Sequence, residues 1–223
     1  MTLTEGTPSR KIRVGERMIE AVSSKRVEQL RAQGERTRER LVEVAREAFA
    51  GDSAVSLSAI ARGADVGIGT LYRHFPTRED LVFELYRHEV DHLVASADQL
   101  RATQEPFAAL RGWFDHYAQF VMAKAGLVHA LRSSSTHGQF AQMAYGPVAG
   151  AVNRLIAANN EAGTIRAGMT ADDLLLALDG LYNLDPDSDW SPRASRLFTL
   201  VADGLRPPVD RTGSVVPPAH PRR

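Results

Sequence analysis

Ala64-Asp-Val-Gly-Ile-Gly-Thr-Leu-Tyr-Arg-His-Phe75, followed by Pro76-Thr-Arg-Glu-Asp-Leu81, decides how the rest of the chain reads. A tight turn with glycines hands over to one short helix. That helix carries Thr70, Tyr72, Arg73 and His74 among the apolar anchors Ile68, Leu71 and Phe75. It is too short to stand alone in water, because helix nucleation is costly. Other helices must hold it, leaving its polar side to face something outside. Pro76 ends it, since proline disfavours helical geometry in the residue before it.

The supports lie on either side. From Arg36 to Ala50, Leu41, Val44, Ala45, Ala48 and Phe49 recur at the spacing of one helical face, with Arg36, Arg38, Arg40 and Arg46 largely outside it. Ser56 or Ser58 can cap a second helix running to about Ala64, with Ile60 and Ala61 inward. Two short helices joined by a tight turn, the second with exposed polar residues, make a helix-turn-helix. Downstream, Thr77 caps a helix through Leu81, Leu85, Val90 and Leu93 to about Leu100, with Asp80 placed as in a capping box.

Further helices are expected from Pro106, over Leu127–Leu131 after a break at Gly126, from Pro147 to Glu161 with Gly163 as cap, over 171–183 behind Thr170, and over Pro192–Leu205. In the last of these, Leu197, Leu200 and Val201 are read as inward. Residues 133–146 are Ser/Gly-rich and resist assignment. Upstream, residues 1–15 read as a flexible basic tail and 16–33 as an extra helix, separated from the next by Gly34 or continuous with it. The tail is either a solvated terminus or an arm lying on phosphates. Residues 207–223 hold five prolines and are expected to be disordered. No strand is needed, so the fold class is all-α.

Composition narrows the function. The 223 residues contain no cysteine, which excludes disulfides, Cys-based zinc sites and a Cys nucleophile. No run reaches the ~18–20 apolar residues of a membrane span. Met1 to Arg13 lacks the apolar region of a secretory signal, so a cytoplasmic location is expected. The net charge is zero, but residues 1–76 carry 13 Lys/Arg against 10 Asp/Glu, giving +3, and residues 77–223 carry 14 against 17, giving −3. A basic front joined to an acidic back fits a nucleic-acid reader with a separate second module.

Three blocks carry a family resemblance: Arg38-x-x-Leu41-x-x-x-Ala45-x-x-x-Phe49, Leu57-Ser-Ala-Ile-Ala61, and Gly69-Thr-Leu-Tyr-Arg-His-Phe-Pro-Thr-Arg-Glu-Asp-Leu81. Together they resemble the DNA-binding domain of the tetracycline-repressor (TetR) family of bacterial transcriptional regulators. Ala162-Gly-Thr-Ile-Arg166 and Asp203-Gly-Leu-Arg-Pro207 look like the same family's punctuation, so the resemblance covers about 36–206. It departs at Gly67, where many members have a Ser or Thr cap. The implied organisation is an N-terminal extension over 1–35, a DNA-binding domain over 36–82, a ligand-binding and dimerisation domain over 83–206, and a tail over 207–223.

The resemblance implies double-stranded operator DNA as partner, a small-molecule effector and a homodimer, with no cofactor, catalysis or membrane attachment. Candidate DNA contacts are Tyr72, His74 and Arg78 to phosphate, Thr70 and Arg73 to phosphate or base, Ile68 to a thymine methyl, Gly69 for close backbone approach, and Arg36. The implied ligand pocket draws on Trp113, Tyr117, Phe120, Phe140, Met143, Tyr145 and Tyr182, with His116, His129 or Asp179 as polar contacts. The last two helices are the expected dimer face. Two other readings stay open. His88-Glu-Val-Asp-His92 matches the metalloprotease string H-E-x-x-H, but Asp91 puts a charge where that motif has an apolar residue, Glu105 is a poor third ligand, and the solvated face of the helix from Thr77 is the favoured explanation. The other is a helical interaction module that has lost DNA binding.

Overall fold

The computed structural model describes the backbone of residues 10–52, 54–129 and 135–208, without the side chains of 10–24, 50–51 and 124–141. The described residues form helices and no strand. In chain order these are α1 (Arg10–Gly51), α2 (Leu57–Gly63), α3 (Ile68–His74), α4 (Arg78–Thr103), α5 (Pro106–His129), α6 (Ser135–Glu161), α7 (Ala171–Leu178) and α8 (Ser191–Leu205), with a 3-10 turn at Asp179–Asn183. The tail expectations for 1–9 and 209–223 lie outside the described residues.

Several boundaries differ from the sequence reading, most of them toward longer helices. α1 is continuous through Gly34 and begins at Arg10, so residues 10–15 are helix. A single interior glycine costs only about 1 kcal/mol against alanine, too little to break a hydrogen-bonded ladder. Gly126 likewise lies inside α5 rather than ending it. α6 starts at Ser135 and takes in the stretch that resisted assignment, placing Pro147 inside the helix rather than in its first turn. α7 is shorter than expected, because its last turns tighten into the 3-10 segment.

Local capping follows the sequence closely. Thr77 with Asp80, and Thr170 with Asp173, form reciprocal capping boxes. Gly163 adopts φ 65° past the end of α6, where Thr164 N–H reaches Asn159 C=O at 3.0 Å. That is the paired C-terminal motif that glycine favours.

α1, α2 and α3 close around Leu41, Ala45, Phe49, Ile60, Ala61, Ala64, Leu71 and Phe75, all buried. α1 and α2 touch closely: a Cβ on Gly63 would stand 2.8 Å from Val44 Cγ1. Gly63→Ala is expected to cost about 1–2 kcal/mol by overpacking despite alanine's better helix propensity. Chemical denaturation measures this, and an unchanged or raised midpoint would count against it.

α4 runs from this bundle into the second half, where it packs on α5 and α6. Asp98 and Arg154 join α4 to α6 through a two-pronged bond, at 2.9 and 3.1 Å. The fully buried Asn159 ties α6 to the start of α5, donating to Pro106 C=O at 2.8 Å. In α8 the inward stripe is Ala194, Phe198, Ala202 and Leu205. Leu200, read as inward, is 71% exposed, and Leu197 and Val201 are only partly buried. Leu197 and Val201 pack against the core at the edge of that stripe, and Leu200 alone lies on the far side.

Candidate nucleic-acid interface

Ser56 caps α2 by accepting from Ala59 N–H. The turn that follows is built on a non-glycine residue. Asp65 takes the left-handed conformation at φ 56°, with its N–H on Arg62 C=O and Val66 N–H on Ala61 C=O, each at 3.0 Å. Aspartate tolerates this region better than most residues. Gly67 instead has φ −67° and opens α3 without a side-chain cap. The glycines do not make the turn. A Cβ on Gly67 or Gly69 would meet nothing within 4 Å, so neither is required by packing.

α3 is held by Leu71 and Phe75, both buried, while Ile68 is 41% and Tyr72 49% exposed. Arg73 folds along its own helix, donating to Gly69 C=O at 3.2 Å and Thr70 Oγ1 at 3.3 Å. Thr70 and His74 are half-buried, and Arg36 is exposed. Arg78, expected on phosphate, turns inward: its guanidinium donates to Val55 C=O at 2.5 Å and lies 4.7 Å from the Phe49 ring centre. It braces the loop before α2. An arginine at the second residue past a proline stop reads as surface; only the fold brings Phe49 under it.

Sequence reasoning missed the residue that aims α3. Arg38 donates to His74 C=O at 3.1 Å, pairs with Glu84 at 3.0 Å and lies 4.4 Å over the Phe75 ring. One guanidinium thereby joins α1, the end of α3 and α4. The signal was present in its spacing, since Arg38 shares a face with the core residues Leu41 and Ala45. Glu84 also pairs with Arg87 at 2.7 Å, and His88 stands 3.6 Å away. Arg87's hydrogen bond, opposed by burial and aided by Arg38, holds the Glu84 carboxyl down at about 2.

A second cluster sits further along α4. Trp113 stacks on Tyr117 with ring centres 5.3 Å apart, Tyr117 lies 6.2 Å from Phe120, and Phe120 lies 5.6 Å from Tyr86. Trp113 Nε1 donates to Leu93 C=O at 3.2 Å. Burial pushes the Tyr117 hydroxyl well up, with Tyr182 and Asp179 nearby adding to it. Burial does the same to Tyr86. A groove of about 380 Å³ opens separately between α5 and α8, lined by Arg111, Asp115, Ser195 and Thr199 among others.

The known proteins agree with this layout. Residues 41–85 match the family described as bacterial regulatory proteins, tetR family, and residues 105–207 match the SbtR-like transcriptional regulator C-terminal domain. The TetR transcriptional regulator SCO0520 from Streptomyces coelicolor is 36% identical, with a TM-score of 0.62, covering 76% of this chain and 98% of that one. This chain belongs to the TetR family. A TetR transcription regulatory protein from Mycobacterium vanbaalenii is 33% identical with the same TM-score of 0.62, covering 79% of this chain and 99% of that one. The HTH-type transcriptional regulator SAB2452 of Staphylococcus aureus (strain bovine RF122 / ET3-1) is 26% identical over 111 residues, 48% of this chain and 60% of that relative. The chain is therefore a helix-turn-helix transcriptional regulator, with α3 the second helix of that motif.

Within this TetR-family fold, the expected pocket residues separate into groups. Trp113, Tyr117 and Phe120 come together, and Tyr86, which the sequence reading omitted, completes their cluster. Tyr86 belongs to the inward stripe Val82, Tyr86, Val90 and Leu93, which could have revealed it. Tyr182 stands at the edge, about half exposed and hydrogen-bonded with Tyr117. His116 and Asp179 are exposed rather than inward, because each falls on the outer side of its turn. Tyr145 is also outside, bonding Asp172 at the start of α7. Met143 packs partly buried on the core, and the side chains of Phe140 and His129 lie outside the described residues. His88 and His92 sit on α4, and no metal-holding group of three or more His, Asp or Glu occurs among the described residues. No described helix is long and apolar enough to cross a membrane.

Gly69 yields a prediction with two opposite signs. Gly69→Ala meets open space and is expected to stabilise the fold by up to about 1 kcal/mol. Gly69 is expected to let the backbone come close to DNA, and on that expectation operator affinity falls. Thermal melting and fluorescence anisotropy together check this; unchanged or tighter binding would contradict a close approach of the backbone.

Proposed function

We propose that this regulator is a repressor that binds a roughly palindromic operator as a homodimer in the cytoplasm and is released by a small-molecule ligand. The observation that carries the reading is the division of α3, with Leu71 and Phe75 buried and Ile68 and Tyr72 half-exposed on the other side. Tyr72 and His74 serve phosphate, Ile68 and Thr70 the base edges, and Arg73 leaves its intrahelical bonds for phosphate or guanine. Arg36 adds a phosphate contact from α1. One such helix reads few base pairs, so two copies about one DNA turn apart are needed. The outward Leu176 and Leu200, each 71% exposed, supply an apolar face for that pairing on α7 and α8.

The aromatic cluster suits a flat, largely apolar ligand, with the Tyr117–Tyr182 pair as polar contact. Tyr86 in that cluster is two residues from Glu84 on α4, and Glu84 holds Arg38, which holds the end of α3. A ligand that shifts α4 therefore shifts the recognition helix, and ligand and DNA oppose each other by linkage.

Tyr72→Ala tests the interface. Losing a hydrogen bond to a charged phosphate is worth about 1.5 kcal/mol, so affinity is expected to fall roughly tenfold or more for every operator sequence. Substitutions at Ile68 or Thr70 should instead change base preference. Equal shifts of an operator probe by Tyr72→Ala and wild type at matched salt would refute the assignment.

A further inference from the structure

The string His88-Glu-Val-Asp-His92 has no part in DNA reading or in the aromatic cluster. Its two histidines stand four residues apart on α4, so their Cβ atoms lie about 6 Å apart on one side of the helix. Two imidazoles at that spacing can close on a single ion, at about 2.0–2.1 Å from each nitrogen. The helix that presents them is firmly set. Leu85, Val90 and Leu93 are buried in the core, so the backbone that carries the histidines is fixed before any ion arrives.

The tertiary structure brings carboxylates to the pair from two helices. α1 packs on α4, and its Glu43 carboxyl is held below the usual range by the Arg46 hydrogen bond first, with His92 and His88 across the interface adding to this. Glu43 is thus within electrostatic reach of both histidines. On α4 itself, Glu84 Oε1 stands 3.6 Å from His88 Nε2. Carboxylates beside ligating imidazoles orient the rings and raise their basicity. The surrounding charge also suits a cation, since Glu43, Glu84, Glu89 and Asp91 stand against Arg38, Arg46 and Arg87, leaving one carboxylate in excess. His88 is half-buried and His92 exposed, so an ion can enter from solvent.

We infer that His88 and His92 are the protein ligands of one divalent transition ion, of the zinc, nickel or copper class, bound on α4 where it faces Glu43 of α1. Imidazole nitrogens favour these ions, whereas magnesium and calcium take oxygen ligands. No group of three or more His, Asp or Glu placed to hold a metal occurs among the described residues, so water fills the remaining positions. Glu89, which would be the base of the hydrolytic string, interacts with Arg46 instead. The pair is therefore a binding site rather than a hydrolytic centre.

The test uses the full chain without an affinity tag, stripped of metal by a chelator and titrated calorimetrically with zinc chloride and, in parallel, magnesium chloride. One zinc ion per chain is expected, with no measurable magnesium binding. His88→Gln and His92→Gln keep helix propensity and a polar surface, and each should weaken zinc binding more than about tenfold. The double variant should lose the site. Glu43→Gln should weaken it about tenfold, as loss of a neighbouring carboxylate does. His116→Gln, at an exposed histidine on α5, should change nothing. Equal zinc binding by the double variant and wild type would mark an adventitious ion only and overturn the inference. So would no zinc binding by wild type, magnesium binding of equal strength, or full zinc affinity after Glu43→Gln.

Discussion

Trp113→Ala is expected to destabilise the protein by about 3–5 kcal/mol, the usual cost of deleting a large, fully buried ring. Three losses combine. The ring's volume becomes a cavity, the stacking on Tyr117 at 5.3 Å disappears, and Leu93 C=O loses the indole N–H at 3.2 Å. Leu93 lies on α4, so the defect falls on the helix that links the two halves. Trp113→Phe keeps most of the volume and loses the hydrogen bond, and is expected to cost about 1–2 kcal/mol. Urea unfolding measures both. A Trp113→Ala loss below that of Trp113→Phe would show that the site collapses without relying on the ring.

The second large effect is at Arg38. Arg38→Ala removes a bond to His74 C=O, a pairing with Glu84 and the cover of Phe75. A loss of about 2–3 kcal/mol in stability is expected. Operator affinity should fall as well, although Arg38 is assigned no DNA contact, because the end of α3 is no longer fixed. Arg38→Lys keeps the charge but not the fork that spans carbonyl and carboxylate, so it should rescue stability in part and affinity little.

The same cluster sets an acid limit. Glu84 titrates at about 2 when folded, against 4.5 unfolded, because Arg87 and then Arg38 favour its charged form over the opposing effect of burial. A folded value below the unfolded one stabilises above 4.5, and that stability is lost as pH falls from 4.5 toward 2. The span is worth up to about 3 kcal/mol, reduced to about 2 by solvent screening of the half-exposed arginines. Glu84→Gln should flatten stability against pH in that window. A variant with the wild-type acid profile would remove Glu84 from the account.

Much of the fold was legible in the sequence because its signals are short-ranged. Thr77 with Asp80, Thr170 with Asp173, Ser56 and Gly163 each cap through groups within a few residues, and periodic leucines name a helix face without knowledge of its partner. The short helix α3 was found the same way, as was the burial of Leu71 and Phe75. The break expected at Gly126 and the helix start expected at Pro147 failed, and continuity won at Gly34, because a local penalty of about 1 kcal/mol for glycine or about 3 for proline is outweighed when the ladder continues on both sides.

What the sequence determined by itself is the set of helices, their caps and the short helix α3 of the helix-turn-helix. The tertiary structure alone decided which long polar side chains turn inward, as Arg38 and Arg78 do, which aromatics meet, and that Leu200 faces out. The reason is reach: a cap is satisfied by its own turn, whereas a guanidinium or an aromatic ring takes its partner from whichever distant helix the packing brings beside it.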